Sequence, residues 1–385
     1  MQARARLLHA WTQQVTSLLA GVRVTQARTL AAFSLGLIWA GSVPLPGIAR
    51  TLPGSARGES TERRLRRFVA NPRVDPRRVW APLVRGLLPR VVGPGHEVTL
   101  VFDPTPHRGH ATVLMLSVVV HKRALPLSWR VVPQQAAWPE TLASVFTELT
   151  AEVAAALPAG TTVTLLADRG LVGPTLVDGC RAAGWHLVLR LKAGPADAAM
   201  IRCPGAAETK LAAFVAARVT GPGQRWAGPA DILKGEGWRD GFVTIHWGRD
   251  AAEPWVLFSD RAGGDARVRE YRRRAHVEAT YQDGKGRGVR LGRSRVGLRP
   301  RDLDRLDRLL LAVALATWWL HGLGGRVVRA GLRPRYDRAD RRDRSLIQLG
   351  RDHLLAWLEG GAGRAWRSLL PFRTGPTGLV YRWSV

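Results

Sequence analysis

The stretch YRRRAHVEATYQDGKGR, residues 271–287, carries four polar side chains at a defined spacing. Two residues separate Tyr271 from Arg274, three separate Arg274 from Glu278, and six separate Glu278 from Lys285. On a helix, positions three and four residues apart share one face. The stretch therefore predicts a helix that presents a glutamate beside an arginine and a tyrosine. Taken alone, the arginine and glutamate would equally form an ordinary exposed ion pair.

Two isolated aspartates upstream suggest that this helix has a functional role. Asp103 in VTLVFDPT and Asp168 in VTLLADRG each follow an apolar, strand-like run. Either one alone would also suit a turn or a helix N-cap. Together with Glu278 they form a set of carboxylates on separate elements, and hard oxygen ligands of this kind hold paired divalent ions for phosphodiester chemistry. We therefore expect Asp103, Asp168 and Glu278 to be catalytic residues and ligands of two Mg²⁺ ions, with Mn²⁺ as a substitute.

The sequence around the aspartates predicts a mixed sheet. Apolar runs indicate strands at 98–102, 111–121, 124–132, 162–167 and 187–191, and helices at 138–157 and 171–183. The order β-β-β-α-β-α-β, with carboxylates after the first and fourth strands, is that of an RNase H-like core. We predict an α/β fold of this class, built on a mixed five-stranded sheet flanked by helices.

Residues 193–253 interrupt the core pattern. They are rich in Gly, Pro and Trp, with short alternating runs such as 242–247, and predict a β-rich insertion. The core resumes with a strand at 254–259, the Glu278 helix from about residue 265, and a helix at 302–321. The remaining tail is basic, with one helix predicted at 345–358.

The charge of the chain indicates its partner. A formal net charge of +28 over 385 residues points to a polyanion, either nucleic acid or an anionic membrane surface. The apolar runs at 30–40 and 309–320 are too short to cross a bilayer and predict buried helices, so nucleic acid is favoured and no membrane is expected. The two cysteines, Cys180 and Cys203, form no disulfide framework and suit a reducing cytoplasm.

The first ninety residues predict a helical bundle. Ser60 is the expected N-cap of a helix through TERRLRRFVANP, which Pro72 closes. Arginines including Arg66 and Arg67 crowd the sides of this helix that do not face inward. Such a bundle suits DNA binding of the helix-turn-helix type or, equally, an ordinary bundle with a solvated basic face.

These patterns divide the chain into five regions. We predict a helical DNA-binding domain at 1–92, the first part of the core at 93–192, the insertion at 193–253, the second part of the core at 254–324, and a basic helical C-terminal region at 325–385.

The chain resembles the DDE transposases of bacterial insertion sequences, in the branch with an RNase H-like core, a β-rich insertion and the Y-(2)-R-(3)-E-(6)-K signature. The four residues of the 271–287 stretch match the signature without a spacing deviation, and DPT at Asp103 and ADRG at Asp168 match the acidic motifs. The resemblance covers about residues 98–320.

The resemblance implies a Mg²⁺-dependent recombinase that cuts at terminal inverted repeats and joins the freed 3′-hydroxyl to target DNA, with hairpin ends as a frequent intermediate. It implies DNA contacts for Tyr271, Arg274 and Lys285. A tryptophan of the insertion would stack on a flipped base, and Trp255 in PWVLFSD fits its position better than Trp247, Trp238 or Trp226. Trp255 would equally serve as a core residue. Arg169, next to Asp168, is a further candidate for DNA contact.

The expected protein is thus a cytoplasmic, nucleoid-associated bacterial transposase that acts on double-stranded DNA, as a homodimer because two ends must be handled together. The alternative is a domesticated or inactive descendant that only binds DNA. A host RNase H-like nuclease would not need the insertion, and a basic RNA-binding structural protein would not need carboxylates at strand ends. No GxxxxGK[ST] phosphate loop occurs, so no ATP dependence is expected.

Overall fold

A mixed sheet of eight strands is the centre of the α/β structure, a computed structural model that describes residues 2–54, 58–134, 138–282, 302–338, 340–360, 364–375 and 378–381. Its strands, in chain order, are β1 (Glu97–His107), β2 (Ala111–Val120), β3 (Arg123–Pro133), β4 (Thr162–Ala167), β5 (His186–Arg190), β8 (Arg225–Pro229), β10 (Phe242–His246) and β11 (Trp255–Ser259). The spatial order is β3-β2-β1-β4-β5-β11-β10-β8.

The pairing explains why the strand ends meet. β1, β2 and β3 form an antiparallel meander, whereas β4 and β5 run parallel to β1. Phe102 pairs with Ala167 in the parallel ladder of β1 and β4. The residues that follow each of them, Asp103 and Asp168, are therefore neighbours at the same edge of the sheet.

Helices cover both faces of the sheet. The helices that follow the strands are α6 (Trp138–Ala154), α7 (Pro174–Ala182), α9 (Gly264–Arg272), α10 (Ala275–Gln282) and α11 (Leu303–Arg329). α9 and α10 lie on one face, where Val101 of β1 packs with Val268, Tyr271 and Val277. On the opposite face Phe102 packs against Phe146 of α6, with ring centroids 5.1 Å apart. Strand alternation thus turns Asp103, two residues after Val101, toward α9 and α10.

The N-terminal region is helical, as predicted. It comprises α1 (Gln2–Leu18), α2 (Val24–Ala40), α3 (Leu45–Thr51), α4 (Gly58–Ala70) and α5 (Pro76–Val91). The expected N-cap is wrong in position, because α4 begins at Gly58 and Ser60 lies within its first turn. Leu65 and Phe68 of α4 are buried.

The predicted insertion contributes to the main sheet. Two of its strands, β8 and β10, extend the sheet beyond β11. The rest forms a small sheet of β6 (Met200–Arg202), β7 (Thr209–Lys210) and β9 (Asp231–Ile232) with the helix α8 (Leu211–Arg218), which the Gly- and Pro-rich composition did not predict.

α11 is the central helix of the second half of the chain. It is longer than the predicted 302–321 and ends at Arg329. By length and composition it is the one helix among the described residues that on its own would suffice to cross a membrane, yet 89% of its most apolar window is buried inside the protein. Its tryptophan Trp318 donates from Nε1 to the carbonyl of Pro126 in β3, at 2.8 Å.

The C-terminal region packs on α11 through α12 (Leu346–Glu359). Ser345 and Gln348 form a capping box at the start of α12, so the predicted helix 345–358 is correct to within a residue. A hairpin of β12 (Phe372–Gly375) and β13 (Gly378–Tyr381) follows, which the prediction of a helical region missed.

Asp307 of α11 makes the stability of this core pH-dependent. It accepts from Trp129 Nε1 of β3 at 2.6 Å, and burial raises its pKa from 3.8 to about 6. Because the folded protein keeps the Asp307 proton up to a higher pH than the unfolded chain, this residue lowers stability as the pH rises from about 4 to about 6.

We therefore expect Asp307→Asn, which keeps an acceptor for Trp129, to raise the free energy of unfolding by about 1 kcal/mol at pH 7 and by nothing at pH 4. Urea unfolding of both proteins at the two pH values measures this difference. An equal change at both values would contradict the raised pKa. Asp304→Asn, at an exposed position of the same helix, is the matched control.

Candidate active site

Asp103 lies inside a strand, and not at its end. The predicted strand 98–102 continues as β1 to His107. The residues before and after Asp103 are therefore both paired with β2. Its side chain is only 12% exposed. The continuation fixes the direction of this carboxylate more firmly than a loop position would.

Asp168 and Glu278 approach Asp103 from two other elements. Asp168 follows β4 directly, and Glu278 lies in the first turn of α10. The helix predicted from about residue 265 is broken, because α9 ends at Arg272 and α10 begins at Ala275. Arg274 occupies this break.

The guanidinium of Arg274 contacts all three carboxylates. Its Nη2 lies 2.9 Å from Asp103 Oδ1 and 3.1 Å from Asp168 Oδ2, and its Nη1 lies 3.3 Å from Glu278 Oε1. The side chain of Arg274 is 14% exposed and that of Glu278 is 65% exposed, so the group opens to solvent on the side of Glu278. Three acids that are far apart in sequence therefore share one cation.

The shared site has an excess of negative charge. The pKa of Asp103 is raised from 3.8 to about 6, chiefly by burial; Arg274 lowers it, and Asp168 and Glu278 add smaller upward contributions. One arginine does not balance the charge of three carboxylates. A site of this charge favours the arrival of additional cations.

The donor set fits a hard divalent ion. All three side chains offer carboxylate oxygens, which Mg²⁺ and Mn²⁺ prefer. Among the residues that the structure describes, no group of three or more His, Cys, Asp or Glu side chains is placed to hold a metal ion as it stands. Here the guanidinium of Arg274 holds the three acids together.

Tyr271 and Trp255 form the wall of the site. Tyr271 is 3% exposed, and its hydroxyl donates to Asp168 Oδ1 at 3.2 Å. Burial and the charge of Asp168 raise the pKa of Tyr271, so the hydroxyl keeps its proton and remains a donor. The half-buried ring of Trp255 packs edge-on against Tyr271, with centroids 5.2 Å apart. Of the tryptophans considered, Trp255 is thus placed beside the acids.

The other tryptophans are engaged within the insertion. Trp226 packs against Phe214 at 4.9 Å, Trp238 lies under the guanidinium of Arg202 at 4.7 Å, and Trp247 donates to the carbonyl of Ala251 at 2.8 Å. These contacts explain their positions without a ligand.

Arg190 lies beside the site and was not predicted from the sequence. Arg169 pairs with Glu253 at 3.2 Å, and the same Glu253 oxygen lies 2.5 Å from Arg190 at the end of β5. Arg190 also lies close enough to Tyr271 to affect its pKa. The sequence could have indicated Arg190, because it ends β5, the strand parallel to β4, and the ends of parallel strands meet at one edge of the sheet.

The arginines of α4 line a separate groove. Arg66 and Arg67 lie with Arg50, Arg63 and Arg305 around a groove of about 1320 Å³ between α3 and α4. Arg66 pairs with Glu62 on its own helix. Their assignment to DNA contact remains a prediction.

Lys285, which the sequence predicts to contact DNA, lies outside the residues that the structure describes.

The chain has a structural likeness to known proteins, at low sequence identity. No family model and no curated protein matches the chain. Among solved structures, it is similar to a piggyBac transposase, described as a synaptic complex with hairpin DNA, with a TM-score of 0.46 and 12% sequence identity over 92% of this chain and 78% of that chain. A likeness at this level does not define an activity.

Proposed function

We propose that the protein is a DNA transposase that binds the terminal inverted repeats of an insertion sequence and catalyses Mg²⁺-dependent strand cleavage and strand transfer, with hairpin ends as intermediates. The observation that carries this proposal is the convergence of Asp103, Asp168 and Glu278 on the guanidinium of Arg274. Three acids from a strand, a strand end and a helix are the arrangement that phosphodiester chemistry with paired ions requires.

The sheet supports the same class. The first five strands lie in the order β3-β2-β1-β4-β5, with β1 antiparallel to β2 and parallel to β4. This is the order expected of an RNase H-like core, which we propose as the fold of this part of the chain.

Each side chain has a role that follows from its position. Asp103, Asp168 and Glu278 would hold two Mg²⁺ ions, which supply a Lewis acid for the scissile phosphate. Tyr271 orients the carboxylate of Asp168 through its hydrogen bond. Arg274 keeps the acids together and offers donors to phosphate oxygens.

The outer residues would hold the DNA. The face of Trp255 suits the stacking of an unpaired base, since base flipping needs an aromatic platform. Arg169, with Lys285 and the arginines of α4 such as Arg66 and Arg67, would contact phosphates. We propose that the protein works as a homodimer on DNA in the bacterial nucleoid, because two ends are joined in one reaction.

The direct test uses the purified chain, DNA carrying the element's ends, and Mg²⁺. We expect strand cleavage at the ends, which EDTA abolishes and Mn²⁺ restores, measured on denaturing gels. Specific binding without any cleavage under either ion would contradict the enzymatic proposal and leave a DNA-binding descendant.

Arg274→Ala should destabilise the protein by removing the positive charge between the three acids. Without the guanidinium, three carboxylates repel one another, and we expect the free energy of unfolding to fall by about 2 kcal/mol at pH 7 in EDTA. Because the variant lacks the competing cation, Mg²⁺ should raise its Tm more than that of the unaltered protein.

Thermal unfolding in EDTA and in Mg²⁺ measures both effects of Arg274→Ala. Arg269→Ala, at an exposed position of α9, is the matched control and should change neither value. Equal Mg²⁺ responses of Arg274→Ala and the unaltered protein would contradict a shared cation site.

A further inference from the structure

A cleft on the other side of the α9–α10 break has no role in the chemistry described above. It has a volume of about 700 Å³ and lies between the end of α5, the start of β1 and the β2–β3 turn. We call it the turn cleft and define it by His96, His121, Lys122, Arg273 and His276, which line it.

The turn cleft is basic. Lys122 and Arg273 bring full positive charges, and His96, His121 and His276 add imidazole donors. Glu97 is the one acid among its lining residues. Among the residues that the structure describes, neither Lys122 nor Arg273 forms an ion pair closer than 4 Å. Arg273 donates instead to the hydroxyl of Thr99 in β1 at 3.0 Å. The charge of the cleft is therefore left for an anion.

The β2–β3 turn carries backbone strain. Val120 pairs with Arg123, so His121 and Lys122 alone form the turn, with φ values of 45° and 62°. Two consecutive positive φ values are those of a type I′ turn, for which Asn-Gly is the favoured pair. Histidine and lysine at these positions cost stability, and strain of this kind collects where side chains serve a ligand.

The turn cleft lies along the same face of the sheet as the three acids. Thr99, beneath Arg273, precedes Asp103 by four residues in β1, a separation of about 13 Å along the strand. Arg273 and Arg274 are adjacent at the helix break, and one reaches the cleft while the other reaches the acids. A single DNA strand is long enough to cross both places.

We propose that the turn cleft binds phosphate groups of the DNA backbone, as a second contact beside the active site. The inference rests on the proposed function for its choice of DNA as the source of the phosphates. The chemistry of the cleft, with an ammonium, a guanidinium and imidazole donors converging, is that of phosphate recognition.

The double variant His121→Asn/Lys122→Gly tests the inference, because it should gain stability while it loses binding. Asn-Gly relieves the strained turn, and we expect a rise in Tm of about 2 °C. In EDTA, the affinity for a labelled duplex should fall about fivefold at 100 mM salt. The slope of log affinity against log salt should become smaller by about 1.

Arg108→Asn is the matched control. Arg108 has a φ of 57° in the β1–β2 turn, at the other end of β2, and its replacement also removes one positive charge and favours the turn. It should raise the Tm without the fall in affinity. Unchanged DNA affinity of the double variant, with its Tm raised, overturns the inference, and so does an equal loss of affinity in Arg108→Asn.

Inorganic phosphate distinguishes the source of the anion. We expect about 10 mM phosphate to shift the imidazole NMR signals of the unaltered protein and not those of the double variant. If phosphate shifts the signals while DNA affinity is unchanged, the cleft takes a free phosphate compound and the assignment to DNA is overturned. Because binding is measured without Mg²⁺, absence of cleavage contradicts only the proposed function, whereas loss of this binding difference contradicts only the inference.

Discussion

Asp168→Asn should abolish Mg²⁺-dependent DNA cleavage, by at least about 10³-fold, while the affinity for DNA in EDTA changes less than about threefold. The amide keeps the shape of the side chain and an acceptor for the hydroxyl of Tyr271, which donates to Oδ1 at 3.2 Å. It removes the negative charge that would bind a divalent ion. Cleavage gels and a filter-binding assay on the same preparation measure the two quantities.

A matched substitution separates this effect from a general loss of charge. Asp240→Asn changes an exposed aspartate of the insertion, which pairs with Arg181 of α7 at 3.1 Å, and this variant should cleave as the unaltered protein does. If Asp168→Asn loses DNA binding as completely as it loses cleavage, metal binding and DNA binding do not reside on different residues. If it retains cleavage, the three acids are not the catalytic group.

Gly324→Ala should destabilise the protein by about 3 kcal/mol, which corresponds to a fall in Tm of about 4 °C. A Cβ at Gly324 would lie 1.8 Å from the carbonyl oxygen of Leu346, which belongs to the backbone of α12. Helices α11 and α12 therefore touch through their main chains, and Gly350 makes the reciprocal contact, with a Cβ 2.1 Å from the carbonyl of Leu320. Rotation of a side chain cannot relieve such a clash.

The neighbouring glycine offers the control within the same helix. A Cβ at Gly325 would meet only the Nη1 of Arg329, at 3.8 Å, which is ordinary contact. Gly325→Ala should raise the free energy of unfolding by about 0.5 kcal/mol, because alanine favours the helix. Chemical unfolding of the two variants checks the difference. Equal effects would show that helix propensity, and not the helix–helix contact, governs this position.

Local patterns were sufficient for most strands of the core. The strand at 162–167 is correct at both ends, and those at 111–121, 124–132 and 187–191 are correct to within a residue at each end. Their alternating or continuous apolar runs reflect burial, which the sequence records directly. The predicted end of the first strand was wrong, because β1 continues to His107. Pro104 and Pro106 lie in this continuation and are still paired with β2.

The break between α9 and α10 shows what periodicity did not reveal. The run from Asp265 to Gln282 has no proline or glycine, so it predicts one helix. The chain turns at Arg273 and Arg274 because their side chains reach into the sheet, to Thr99 and Asp103. Arg273 is 174 positions from Thr99 in the sequence and Arg274 is 171 positions from Asp103, so no local pattern records these contacts.

The sequence by itself determined the types of most elements of the core and singled out Asp103, Asp168 and Glu278 as candidate ligands, because both follow from side chains and spacings within short windows. Only the tertiary structure decided that Asp103, Asp168 and Glu278 share the guanidinium of Arg274, that Arg190 and Glu253 lie beside them, and that His121 and Lys122 line a basic cleft. The reason is that strand order and helix packing bring distant residues together through burial of the whole core, and this balance is not written in any single segment.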